Sequence, residues 1–191
     1  TPSADPTFEI RHLRSLHITE PYIDLGHGRR WDRFRHENIR EALYLRLDSS
    51  QRAAIHQQVH QWYRNHQPGA ASMAAVAYHL QLAGNPFPAV EAYLAASKHA
   101  AVWGAQSEAL QELLAAERIL APQNQDSPQT KKAFMKVYLA RTELWLHSGF
   151  NAKGIIDVNR ALALAEQLDA SSEAARGLIL RTRFKLLAQE F

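Results

Sequence analysis

Cysteine is missing from all 191 residues. That excludes disulfides, thiolate nucleophiles and zinc sites built on cysteine, and it fits a reducing compartment, so a cytoplasmic location is expected. An excess of one charge is also lacking: the formal charge is +3, too small to demand nucleic acid as a partner. No apolar run approaches the roughly 20 residues of a membrane span, and the first residues lack a signal-peptide pattern. No Gly-rich phosphate loop, HExxH motif or nucleophile elbow occurs. The expectation is therefore a protein that is not an enzyme and that carries neither cofactor nor metal. With 46% hydrophobic composition the chain has enough apolar side chains for a real core, as one domain or as a small module joined to a larger helical array. It starts at Thr1 without methionine and stops at Phe191 inside an expected helix, and so reads as a piece of a longer protein.

The stretch that organises the chain is residues 34–63, FRHENIREALYLRLDSSQRAAIHQQVHQWY. Ile39, Leu43 and Leu47 recur every four residues, and Ile55, Val59 and Trp62 or Tyr63 do so after a polar break. This spacing predicts two amphipathic helices sharing one core, with Phe34 also buried there. Asp48 and Gln51 are placed to close a capping box at the start of the second helix.

Before this pair, residues 1–8 are turn formers and read as a linker, and 9–16 as a short helix through Ile10, Leu13 and Leu16. Tyr22, Ile23 and Leu25, then Gly26 and Gly28, then Trp31 and Phe34 predict a small hairpin whose turn uses a glycine at positive φ. After the pair the chain reads as helix upon helix. Residues 71–83 precede a Gly84 cap, Pro88 opens a helix running to residue 103, and 106–120 returns along an Ala109, Leu113, Ala116 seam. A polar loop at 121–129 is the expected proteolytic site. Helices at 130–148, 152–168 and 173–191 complete the chain. In the first of these, Ala133, Val137, Ala140 and Leu144 point inward; in the second, the apolar content is Ile155, Ile156, Ala163 and Leu164. Gly154 and Gly177 weaken their helices but permit close crossing.

Residues 91–120 can be laid over 135–168: each gives a helix, a turn at an aromatic and glycine, and a second helix rich in alanine and leucine. This resembles the tetratricopeptide pattern, with Ala96, Gly104, Ala109 and Ala116 in the first copy and Ala140, Gly149, Ala152 and Ala163 in the second. Gly104 and Gly149 lie further apart than the usual period of about 34, the proline-containing loop taking up the excess. The stretch 34–47 with Arg52, His56, Trp62 and the run 77–80, AYHL, resembles the region after the nucleotide-binding module of bacterial STAND-class signalling ATPases. There a degenerate winged helix leads into tetratricopeptide-like repeats, as in regulators similar to the maltose-regulon activator and in multidomain nucleotide cyclases or kinases.

The resulting fold expectation is all-α: a partial winged-helix hairpin with linking helices over 1–66 and a tetratricopeptide-like array over 67–191. The resemblance implies a regulatory protein-interaction module that binds a peptide, a partner protein or a neighbouring domain of its parent. First helices of stacked pairs line the concave face of such arrays, which makes Tyr93, Lys98, Lys136, Arg141, Glu143 and Trp145 the expected partner-binding residues. The alternative is a nucleic-acid-binding winged helix using Arg29, Arg30, Arg33 and Arg35 on phosphates. Against it stands the ordinary reading of a charged strand edge or an interdomain contact. Of the ten histidines, His56 and His60 share a helical face at metal-ligand spacing. His36, His56 and His79 are read instead as interhelical hydrogen-bond donors, and His99 and His147 as caps on helix carbonyls. Glu108, Glu112 and Glu117 are read as exposed, not as a catalytic acid pair.

Overall fold

A computed structural model describes residues 6–24, 29–66, 70–149 and 151–189. Among these residues the chain forms nine helices and one two-stranded antiparallel hairpin, so it is mostly helical as expected. It divides into two compact units, Thr1–Arg52 and Ala53–Phe191. The division falls inside the third helix, whereas the sequence places the change of architecture at 66–67.

In the first unit, helix α1 (Pro6–Ser15) precedes strands β1 (Thr19–Asp24) and β2 (Arg29–Phe34). The hairpin register sets Thr19 against Phe34, Tyr22 against Trp31 and Asp24 against Arg29. Arg14 of α1 forks onto the Asp32 carboxylate of β2 at 2.6 and 2.7 Å. This hydrogen bonding holds the Asp32 carboxyl below its usual range. The expected glycine turn, with Gly26 and Gly28, lies outside the described residues. Helix α2 (Glu37–Arg46) follows and has no buried residue.

The capping box forms as its spacing requires. Asp48 Oδ1 accepts from the Gln51 backbone N–H at 2.9 Å, and Gln51 Oε1 accepts from the Asp48 N–H at 3.0 Å. Helix α3 (Ser49–His66) starts there. Taken unit by unit, the positions expected in an apolar core at this turn are exposed: Phe34 and Leu43 are 37 and 42% exposed in the first, and Ile55 is 41% exposed in the second. On α3 the buried positions are His56 and His60, each one residue beyond Ile55 and Val59 and thus rotated about 100° around the helix.

The remainder of the second unit is α4 (Ala70–Leu82), α5 (Pro86–Val102), α6 (Gln106–Leu120), α7 (Pro128–Ser148), α8 (Asn151–Gln167) and α9 (Ser171–Gln189). Gly104 and Gly149 hold the turns after α5 and α7 at φ of 76° and 73°, a left-handed conformation that a β-carbon would strain. Consecutive helices from α4 onward pack as neighbours, and α5, α7 and α9 also touch one another in that order. The α6 seam is as read: Ala109, Leu113 and Ala116 are wholly buried. With methyl groups at two of these three positions, the neighbouring backbone comes close.

Helix α7 is buried on two sides. Val137 and Leu144 join the core shared with α5 and α6, while Met135 and Leu139 join a second core with Val158, Ala161, Ala165 and Leu180. Hydrophobicity does not mark the inner face of α8: Ile156 is 53% exposed and Ala163 is also exposed, while Gly154, Asp157, Val158, Ala161 and Ala165 are buried. Small size and one carboxylate, not large apolar side chains, mark this inner face. The glycines do permit close crossing. A β-carbon on Gly154 would collide with the buried ring of Phe184, and one on Gly177 would lie 2.9 Å from Leu162 Cδ2. The expected loop lies at 121–127 and is ordered by turns: Gln125 Nε2 donates to the carbonyls of Leu120, Ala121 and Gln123 at 3.0, 3.1 and 2.8 Å.

Candidate partner-binding groove

Because α5, α7 and α9 lie side by side, the residues on their common face line a groove of about 640 Å³. On α5, Glu91, Leu94, Lys98 and Ala101 follow the spacing of three and four that keeps side chains on one helical face. On α7 the same spacing brings Lys136, Leu139, Ala140, Glu143, Leu144 and His147, and α9 adds Glu173 and Arg176. The floor is apolar, with Leu94, Leu139 and Leu144. Two ion pairs cross it: Lys136 to Glu91 and Arg176 to Glu143, both at 2.6 Å. Both are largely exposed and screened, so they select alignment between neighbouring helices more than they stabilise it. Lys98 is exposed in the lining, with no acidic partner among the described residues.

Of the six residues expected to meet a partner, Lys98, Lys136 and Glu143 line this groove. Tyr93, Arg141 and Trp145 do not, being only 6, 6 and 9% exposed. The expectation put whole helices on the concave side, but each residue turns about 100° from the last, so half of the candidates point into the protein. Sequence reasoning missed Leu94, Leu139, Glu91 and Arg176. The spacing 91, 94, 98, 101 in α5 was a signal that would have found the first and third of these.

Arg141 instead centres a buried polar network between α6, α7 and α8. Its Nε and Nη2 donate to Asp157 Oδ2 and Oδ1 at 2.6 and 2.8 Å, and Nη1 donates to Glu117 Oε2. Trp145 Nε1 donates to Asp157 Oδ2 at 2.9 Å. Burial alone would favour loss of the proton, but the hydrogen bonds it donates to Asp157 and then to Glu117 outweigh that, and the guanidinium is raised above its usual range. Glu117 is therefore a half-buried structural partner and not one of a set of exposed acids. Glu112 is also half-buried, and burial followed by the nearby Glu108 charge raises its carboxyl.

In the hairpin, Arg33 pairs with Glu20 at 2.7 Å and lies over the Tyr22 ring, and Arg35 approaches both Glu20 and His17 Nδ1 at 3.7 and 3.2 Å. Those two cations are occupied by one carboxylate, which favours the strand-edge reading over phosphate contact. The side chains of Arg29 and Arg30 lie outside the described residues.

His56 and His79 meet between α3 and α4, with their Nδ1 atoms 2.9 Å apart and their rings stacked at 5.1 Å. His60 is 4% exposed and both of its ring nitrogens lack a partner. His147 engages the Glu143 carbonyl at 2.7 Å as a cap, whereas His99 accepts from Trp103 Nε1 at 2.7 Å. His36 is exposed at the α2 N-cap without a side-chain cap bond. Among the described residues no group of three or more histidine, aspartate or glutamate side chains is gathered to hold a metal ion, and no helix is long and apolar enough to cross a membrane.

No known protein family matches the chain, and no curated protein or solved structure matches it significantly.

Proposed function

We propose that this chain is the regulatory protein-interaction module of a larger signal-transduction ATPase or transcriptional regulator. Its α5–α6 and α7–α8 hairpins are read as tetratricopeptide-like repeats, and its ligand is a peptide segment of a partner protein or of a neighbouring domain of the parent. The observation that carries the reading is the groove along α5, α7 and α9: an apolar floor that rewards a partner's side chains, rimmed by charges that fix its direction. Lys98, exposed and without an acidic partner, would receive an acidic group of that segment. Regulation then works by holding or releasing the parent's ATPase or output domain, and a coupling of about 1–3 kcal/mol would shift its activity several-fold to a hundredfold.

The test is to measure output activity of the parent with and without residues 1–191, and to titrate the isolated chain against the remainder. Deletion is expected to raise basal activity, and the separated chain is expected to bind back with an affinity weakened by Lys98→Glu. Unchanged activity together with no association would refute the proposal.

A further inference from the structure

Helix α9 is apolar on two opposite sides. One side packs into the protein: Gly177 and Leu180 face inward, and Phe184 is wholly buried. At 100° per residue the opposite side carries Ala175, Leu178, Ile179, Thr182 and Leu186. Its three large apolar side chains are 46, 60 and 56% exposed. Positions 175, 178, 179, 182 and 186 repeat by three and four, the spacing of a helix that packs against another helix. The stripe spans about three turns, or roughly 17 Å. Cations flank it on both sides, Arg176 and Arg183 along one edge and Arg181 and Lys185 along the other. Arg176 is engaged by Glu143, but Arg181, Arg183 and Lys185 have no acidic partner among the described residues. Glu173 is the one acidic residue of the helix, and it lines the groove.

We infer that this outer face of α9 docks an amphipathic helix of about three turns whose apolar stripe is edged by aspartate or glutamate. The face is distinct from the α5–α7–α9 groove, which takes Glu173 and Arg176 from α9 but none of the stripe. The charges choose the occupant. A second copy meeting this face with its own would set like cations against one another across an apolar seam, a juxtaposition that costs affinity. A lipid surface is the poorer fit, because interfacial helices bury aromatic residues as well as leucine, and this stripe has none and includes Thr182. An acidic-edged helix satisfies both the apolar stripe and the unmatched cations at once.

The test uses two labelled synthetic peptides with the same leucine stripe at i, i+3, i+4 and i+7, one edged with glutamate and one with lysine, titrated against the whole chain by fluorescence anisotropy. The acidic peptide is expected to bind saturably and more weakly as salt rises, and the lysine peptide not at all. Ile179→Asp should weaken binding at least about tenfold, which corresponds to about 1.4 kcal/mol. Should that variant melt early, the paired exposed substitutions Arg183→Glu and Lys185→Glu should reverse the preference between the peptides. Lys98→Glu should leave binding unchanged, since it alters only the groove. Equal binding of both peptides, no binding of the acidic one, or loss on Lys98→Glu would overturn the inference. So would preferential binding to anionic phosphatidylserine vesicles, or self-association by sedimentation that Ile179→Asp abolishes.

Discussion

Removing Asp157 takes away the acceptor that Arg141 and Trp145 share between α7 and α8. The carboxylate is 4% exposed and receives Arg141 Nε at 2.6 Å, Arg141 Nη2 at 2.8 Å and Trp145 Nε1 at 2.9 Å. Asp157→Ala removes the acceptor of the indole N–H and of two guanidinium N–H groups in a buried site. Breaking a buried ion pair from one side costs about 3–5 kcal/mol. Arg141 retains Glu117, whose side chain is 28% exposed and partly solvated, so the lower end of that range applies, about 3 kcal/mol. Asp157→Asn preserves the volume and one acceptor while removing the charge, and should cost less, about 1–2 kcal/mol. The double replacement of Arg141 by Met and Asp157 by Leu should recover most of the loss, since no charge is then left buried. Urea unfolding followed by circular dichroism reads these differences as shifts in midpoint at constant slope. An Asp157→Ala variant within about 0.5 kcal/mol of the parent, or a double variant no more stable than it, would show that the network does not hold the helices.

Two further outcomes follow from geometry. Gly154→Ala should destabilise: alanine gains about 1 kcal/mol of helix propensity, but its methyl must displace the fully buried Phe184 ring, and overpacking costs about 1–3 kcal/mol. Phe184→Leu in the same background should return part of the loss, and a thermal melt showing Gly154→Ala above the parent would contradict the crossing described. Burial lowers the imidazoles of His56, His60 and His79 from their ordinary value, with Arg64 adding to the effect at His60 and the other two histidines at His79. The unfolded chain therefore takes up protons first, so stability is full above about pH 6.5 and falls as pH drops below it. Melting temperature should hold from pH 8 to 7 and decline by pH 5. His60→Leu should flatten that decline, and an unaltered pH profile in this variant would rule the cluster out as its source.

Local chemistry was the most legible part of the sequence. The capping box at Asp48 and Gln51, the alanine seam of α6 and the glycines ending α4, α5 and α7 are each decided within a few residues, and each formed where its spacing put it. Burial was less legible because it depends on what lies opposite. Ile156 and Leu178 are large, apolar and exposed, while Arg141 and Asp157 are polar and buried because they find one another across α7 and α8, as His56 and His79 do across α3 and α4. The same cause split the candidate site. Lys98, Lys136 and Glu143 reach the groove and Tyr93, Arg141 and Trp145 do not, a difference that only the orientation of each helix about its axis decides.

The guanidinium of Arg141 also bears on the order of the array. It draws one carboxylate from α6, in the preceding hairpin, and another from α8, in its own. Deleting the α5–α6 hairpin, or moving it away from α7, would leave α7 without the Glu117 carboxylate, and half of a buried cation would go unanswered. Alanine seams and leucine stripes are interchangeable from one helical hairpin to the next, and by themselves would accept any sequence of units. A charge that needs both of its neighbours makes the succession of these two hairpins specific, much as a key cut on both edges fits only one orientation of the lock.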